Sequence, residues 1–382
     1  MADTIERLKG EDFDEAMQTM GTAFGFDPDR DFPMLLPQIY RPTDNLMKAI
    51  YAIRRDGRIV SAVGVHPREW QVGDTTLKLA GIGGVSTLSE YRGQGLMKAL
   101  MDRCVSDMKA EGYHLSWLGG QRQRYQYFGY EKCGNVYQIG LRRTNFRHAS
   151  RELRDIHFEA MGEVYTDRIE AAKSFHEAKP MHVHRSQEDF VLYLLSGYCE
   201  PWVVLDAEDN VIGYLTTTSE ANGIREIASE NTETSLDILL AWSNRIDKGL
   251  HVTVQPDDLA LSRALGKIAE QVSVSTSGNW QVYDWATTLQ ALMQVKHATC
   301  GLARGEVRLG IGDETFVLAV DSAGVSCALD SGEADLSMTA FHAHQVLFGP
   351  RRPSDVVEIP DEARIIESWA PLPLSFMRAD AV

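Results

Sequence analysis

The sequence predicts a mixed α/β chain of α+β type, built as three consecutive units. Three observations lead there. Residues 49 to 87 alternate apolar stretches with tight acidic or glycine turns, as a run of antiparallel strands does. A glycine turn, Arg92-Gly93-Gln94-Gly95, then joins the last of these strands to a stretch of helical periodicity. The strand, acidic turn and strand pattern returns near residue 200, and a further α+β run begins near Trp285. At 382 residues the chain is too long for one ordinary core, and units of 1–145, 146–284 and 285–382 are expected.

Each element follows from local pattern. Phe13, Ala16, Met17, Met20 and Phe24 recur at helical spacing and are closed by Gly25. Three strands follow, turned at Asp56-Gly57 and at Val72-Gly73-Asp74. After Gly95, the apolar side chains Met97, Leu100, Met101, Cys104, Val105 and Met108 share one helix face. Tyr113 to Leu118 reads as a short strand, and residues 121 to 143 as a turn or short helix and another strand. In the second unit "PWVVLDAEDNVIGYLTTTS" gives two strands, "TSLDILLAWSNRI" a helix and "GLHVTVQ" a strand. There "REIASENTETS" stands where the first copy has its glycine turn, so the second copy is expected to lack that feature. The third unit reads as a helix, two or three strands and a second helix, "SMTAFHAHQVLFG".

Bulk properties exclude several function classes. A formal charge of −16 disfavours binding to nucleic acid or to an anionic membrane and suits a cationic partner. No apolar run approaches the roughly 20 residues that span a bilayer. Five cysteines, an odd number without close pairs, point to reduced thiols and a cytoplasmic setting, with no signal peptide evident. His182-x-His184 and His342-x-His344 lack supporting ligands at metal-site spacing, so packing is preferred and no metal is expected.

The glycine turn carries the chemistry. A helix N-terminus presents unpaired N–H groups and a partial positive charge, and Gly93 and Gly95 let the backbone approach closely where a β-carbon would intrude, so the turn is suited to an anion. It is neither a Walker loop nor a dinucleotide fingerprint, because no Gly-Lys-Ser/Thr follows and the preceding strand belongs to an antiparallel meander. "VSTLSEYRGQGLMKALM" resembles the acetyl-CoA loop of the GNAT acetyltransferases, with Met97 at the sixth loop position and Ser89 where proline is usual. About 30 residues on, "RYQYFGYEKCG" resembles that superfamily's tyrosine element. The whole chain is similar to the enhanced-intracellular-survival (Eis) acetyltransferases: two tandem GNAT-like folds, the second without the loop, and a sterol-carrier-protein-like α+β domain. "NWQVYDWATTLQAL" and "EADLSMTAFHAHQVLFG" carry the likeness at the end of the chain.

The resemblance implies an acetyl-CoA-dependent N-acetyltransferase acting on a primary amine of an aminoglycoside-like molecule, a small polyamine or a lysine, and assembled as a hexamer. It implies that Val85, Ser86 and Thr87 contact the acetyl and pantetheine portion. Arg92, Gly93, Gln94, Gly95, Leu96, Met97 and Lys98 would hold the pyrophosphate. Tyr125 would be the general acid, with Tyr127 and Tyr130 as rivals on chemistry alone. The terminal carboxylate, here that of Val382, would be the base, although family chains end on an aromatic residue and Phe376 stands six residues short. Asp27, with Asp29 and Asp31, could supply negative charge for a cationic amine. A CoA-binding or lipid-binding protein without turnover is the alternative.

Overall fold

The computed structural model describes residues 4–26, 31–148, 152–163 and 166–382. Its first sheet has eight strands. Seven run in the order Ile5–Arg7, Ile50–Arg55, Arg58–Val72, Thr75–Thr87, Leu115–Leu118, Gly278–Val282 and Glu131–Cys133, and Met181–Val183 pairs beside Arg58–Val72. Alternation along the strands divides the core. Ile50 and Ala52 face the helix Phe13–Phe24 with its Ala16 and Met20, whereas Tyr51 and Ile53 face the helix Leu96–Ala110 with its Leu100, Met101 and Cys104. Leu100 is fully buried, and truncation to alanine there would cost about 3 kcal/mol.

The second sheet has seven strands in the order Gln271–Ser275, Val136–Leu141, Leu250–Val254, Gly223–Ser229, Val211–Thr217, Glu200–Leu205 and His157–Ala160. The first two units exchange strands. Val136–Leu141 precedes residue 146 yet lies in the second sheet, and Gly278–Val282 follows the second unit's last helix yet lies in the first. The strand Gly223–Ser229 falls partly in the segment that stands in place of the glycine turn. Its inward Glu226 breaks the apolar pattern that would have announced a strand.

The third sheet runs Val325–Asp330, Glu314–Val320, Gly305–Ile311 and Leu336–Met338, against the helices Trp285–Cys300 and Ala340–Phe348. This unit shares one hydrophobic core with the far end of the first sheet, where Trp70 stacks on Trp280 at 6.0 Å. The last dozen residues leave the third unit and thread along the first. Ser277 Oγ and the Asn135 amide donate to Leu374 O, and Phe376 packs edge-on against Trp117 and Trp280.

Candidate active site

The strand Thr75–Thr87 pairs in parallel with Leu115–Leu118 only from Leu79 to Ile82. Beyond that point the two strands splay, and residues 83 to 87 keep a single ladder, to Arg58–Val72. That ladder is bulged. Between the pairs Gly64–Gly83 and Ala62–Ser86 one strand advances two residues and the other three, and Gly84 absorbs the difference at φ 60°. Gly84 is therefore needed for its backbone, and a β-carbon there would also meet the Met20 methyl group.

The turn that follows is equally specific. Gly93 and Gly95 have φ of 78° and 80°, and a β-carbon on either would meet no protein atom, so conformation explains them rather than crowding by the fold. Gly95 caps the helix Leu96–Ala110 without any side-chain hydrogen bond, and the first intrahelical bond runs from the Ala99 amide to Gly95 O. The amides of Leu96, Met97 and Lys98 therefore lack intrahelical partners and lie beside the splay. In the second unit Gly223–Ser229 and Leu250–Val254 splay likewise, after two paired residues. Its helix Thr232–Ile246, however, begins at Asn231, whose side chain accepts from the Thr234 amide at 2.9 Å. One helix start offers free donors, and the other consumes a donor internally.

Arg92 is exposed and spends two donors on the fold, from Nε to Thr87 O and from Nη2 to Ala23 O, both at 3.2 Å. It braces the turn against the first helix. Lys98 is exposed and paired with Asp102 at 2.7 Å. Gln94 is exposed, Val85 half-buried and Ser86 buried. Ser61 Oγ ties the strand end together, donating to Ser86 O and lying 2.8 Å from Thr87 Oγ1.

Tyr125 lies in the short helix Arg122–Gln126, buried in one cluster with Leu96, Val85 and Met97. Gly120, at φ 100°, lets the chain pass over its ring, whose Cε2 is 2.9 Å from the β-carbon position. Burial pushes the phenol pKa up, opposed by Arg124, so the group keeps its proton at neutral pH. Of the two rivals, Tyr127 is 67% exposed, and Tyr130 is fully buried with its hydroxyl bonded to Ser116 Oγ.

Val382 rests on the other face of the same strand. Its Cγ2 is 2.6 Å from the β-carbon position of Gly81, and its carboxyl carbon 2.8 Å from that of Gly83. Phe376 stays behind on the tryptophans, so the residue that reaches the central strand is the last one. The approach is fixed by a buried network the sequence does not announce. Arg185, fully buried, binds Asp380 of the tail through Nε at 2.8 Å and Nη2 at 3.0 Å. It also binds Glu226 of the second sheet at 3.1 and 3.0 Å. Burial opposes the charge of Arg185, but the Asp380 and Glu226 carboxylates outweigh it and hold its pKa well above the usual guanidinium value. Farther along, Gln38 Nε2 donates to Ala381 O at 3.3 Å and Arg68 Nε to Asp380 O at 3.4 Å.

Asp27 and Asp29 lie outside the described residues. Asp31 is exposed, and its Oδ1 caps the helix Phe32–Leu35 through the Met34 amide. One histidine of each pair holds structure, and His184 and His342 are exposed. His344 Nδ1 bonds Ala340 O, and its Nε2 accepts from the Val282 amide, while His182 Nδ1 bonds Lys179 O. Among the described residues no group of three or more His, Cys, Asp or Glu side chains is placed to hold a metal ion, and no helix is long and apolar enough to cross a membrane. A cavity of about 420 Å³ lies in the second unit, lined by Lys179, Gln255, Asp257 and Asn231 among others.

Residues 4–133 match the model of the acetyltransferase (GNAT) domain family. No curated protein is significantly similar to the chain in sequence. Three solved structures share its fold along nearly the full length. A conserved protein from Enterococcus faecalis V583 has a TM-score of 0.71 at 16% identity, covering 98% of each chain. A GCN5-related N-acetyltransferase from Kribbella flavida has a TM-score of 0.69 at 16% identity, covering 100% of this chain and 98% of its own. Eis1 from Mycobacterium abscessus has a TM-score of 0.66 at 14% identity, covering 99% of this chain and 100% of its own. At such identities the likeness establishes the fold, two tandem GNAT-like units and a further α+β unit. The uncapped helix, the splayed strands and the matched domain coincide: residues 4–133 are a GNAT acetyltransferase domain, and the chain that carries it is an acetyl-transferring enzyme.

Proposed function

We propose that the protein is an Eis-like acetyl-CoA-dependent N-acetyltransferase whose acceptor is a primary amine of an aminoglycoside-like molecule, a polyamine or a lysine. The observation that carries this reading is the free helix start at Gly95 opening beside the strand splay, a fit for a diphosphate and a pantetheine arm. Val85, Ser86 and Thr87 border the arm, and the backbone from Gly93 to Lys98 faces the diphosphate. The amine nitrogen forms a bond to the acetyl carbon as the carbon–sulfur bond breaks. The amine's proton passes to the Val382 carboxylate, and the Tyr125 hydroxyl gives its proton to the leaving thiolate. Backbone donors aimed at the developing oxyanion are typically worth about 3 kcal/mol each.

The net charge of −16 supports a cationic acceptor, and Asp27 remains a proposed contact for it. A third unit of sterol-carrier type, a homo-hexamer and a cytoplasmic setting complete the proposal from the same resemblance, the last supported by free cysteines. The division at 145 and 284 is kept, with the three strands that cross it, Val136–Leu141, Met181–Val183 and Gly278–Val282, assigned to their sheets. The test is thiol release from acetyl-CoA with spermidine, neamine and Nα-acetyl-lysine amide. Turnover with at least one is expected, falling about 100-fold in Tyr125→Phe and on removal of residues 377–382. Stabilisation by CoA without turnover for any amine would favour a binding protein instead.

A further inference from the structure

The sheet face that receives Val382 is cleared by glycine. Antiparallel register pairs His66 with Gly81 and Gly64 with Gly83, and paired residues point to the same face. The Val382 isopropyl group fills the place of a residue-81 side chain, and its carboxyl carbon the place of a residue-83 side chain. On the neighbouring strand the His66 ring leans over Gly64, so that Nε2 fills the residue-64 place. Cross-strand β-carbons of this kind stand roughly 5 Å apart. The imidazole nitrogen and the terminal carboxyl group therefore occupy adjoining slots, yet His66 Nε2 has no hydrogen-bond partner.

His66 is 2% exposed and Tyr40 is 1% exposed. The Tyr40 ring stands edge-on to His66 at 5.6 Å, and its hydroxyl, 2.8 Å from the Gly84 β-carbon position, is unpartnered too. Two orphaned polar atoms on packed rings are retained at a cost unless a further molecule bonds to them. Burial, and then the charge of Arg68, pushes the His66 pKa down to about 3, which leaves the ring neutral. In its Nδ1–H tautomer it offers a lone pair at Nε2.

We infer that His66 touches the acceptor, its Nε2 accepting a hydrogen bond from the amine while the Val382 carboxylate takes the amine's proton. This rests on the reading of Val382 as the base. A protonated primary amine has three N–H groups, so it can serve both acceptors and, once deprotonated, direct its lone pair at the thioester carbon. A hydroxyl has one O–H, which the carboxylate would consume, leaving Nε2 unpaired. His66 thus selects amines over alcohols as acceptors.

The test compares His66→Leu and His66→Gln in thiol release with spermidine, neamine or Nα-acetyl-lysine amide. In His66→Leu, kcat/KM for the amine is expected to fall at least tenfold, with the acetyl-CoA KM within twofold of the parent. His66→Gln, which keeps a side-chain acceptor, should recover part of the loss. Amine kcat/KM within twofold in both variants would overturn the inference, as would an acetyl-CoA KM that rises in step with the loss. Loss of the base is read separately, from the chain lacking residues 377–382. A readout free of turnover is the imidazole ¹⁵N spectrum of the CoA complex. Adding spermidine should move one signal that is missing in His66→Leu, and an unmoved signal would overturn the contact.

Discussion

Replacing Asp380 with asparagine tests how the chain end is held. Asp380 is almost wholly buried and meets Arg185 through two charge-assisted hydrogen bonds, at 2.8 and 3.0 Å. Asparagine keeps one oxygen acceptor of the same shape and loses one bond and the charge. Arg185 retains both bonds to Glu226, so no bare charge is left behind. The loss therefore falls below that of a buried ion with no partner and is about 3 kcal/mol. The other hydrogen bonds that tie the last three residues to the fold outside the tail are long, at 3.3 and 3.4 Å, so most of that loss falls on docking of the tail. At 1.4 kcal/mol per decade, the docked fraction shifts by up to about 100-fold. If Val382 is the base, kcat drops by roughly 10- to 100-fold while the acetyl-CoA KM holds. Trimming by carboxypeptidase should accelerate in parallel. A kcat within twofold, with trimming unchanged, would refute the reasoning.

Two other perturbations address separate parts of the molecule. Gly95→Ala forces a β-carbon into φ 80° and should cost about 1 kcal/mol, read as a several-fold rise in acetyl-CoA KM with little change in the amine KM. Asp257 lines the second unit's cavity, where burial raises its carboxyl from 3.8 to about 7, helped by Asp258 and opposed by a backbone hydrogen bond and Lys179. The fold favours the protonated form, so this contribution is present below about pH 4 and lost as pH rises through about 7, worth up to about 4 kcal/mol. Asp257→Asn should therefore flatten the fall in stability between about pH 4 and 7, measured by urea unfolding; an unchanged slope would dismiss Asp257 as the cause.

Much of the first unit was legible because its signals are local. Phe13–Phe24 ends at Gly25 as its spacing and glycine foretold, the three strands turn at Asp56-Gly57 and Gly73, and Leu96–Ala110 buries four of the six residues named for its face. The glycines at 93 and 95 were visible, though their reason is a left-handed backbone rather than contact with the fold. What escaped is long-range. Nothing in "HVHR" says that Arg185 will be sealed between carboxylates 41 and 195 residues away, because an arginine in sequence looks like surface. His66 read as one more strand residue, and its role depends on glycines in two strands and on a chain end that meets them only in the fold. Arg92 was read as an anion donor, yet two of its donors serve backbone carbonyls.

The exchanged strands have a consequence for anyone who would cut the molecule. Expressing residues 1–145 alone would strip the first sheet of its Gly278–Val282 member, leaving Glu131–Cys133 detached, while Val136–Leu141 would dangle without the neighbours on either side that it pairs with. The two copies are clasped like interlocked fingers. They should therefore melt as a single event, and a minimal catalyst cannot be carved out at the linker that the repeat suggests.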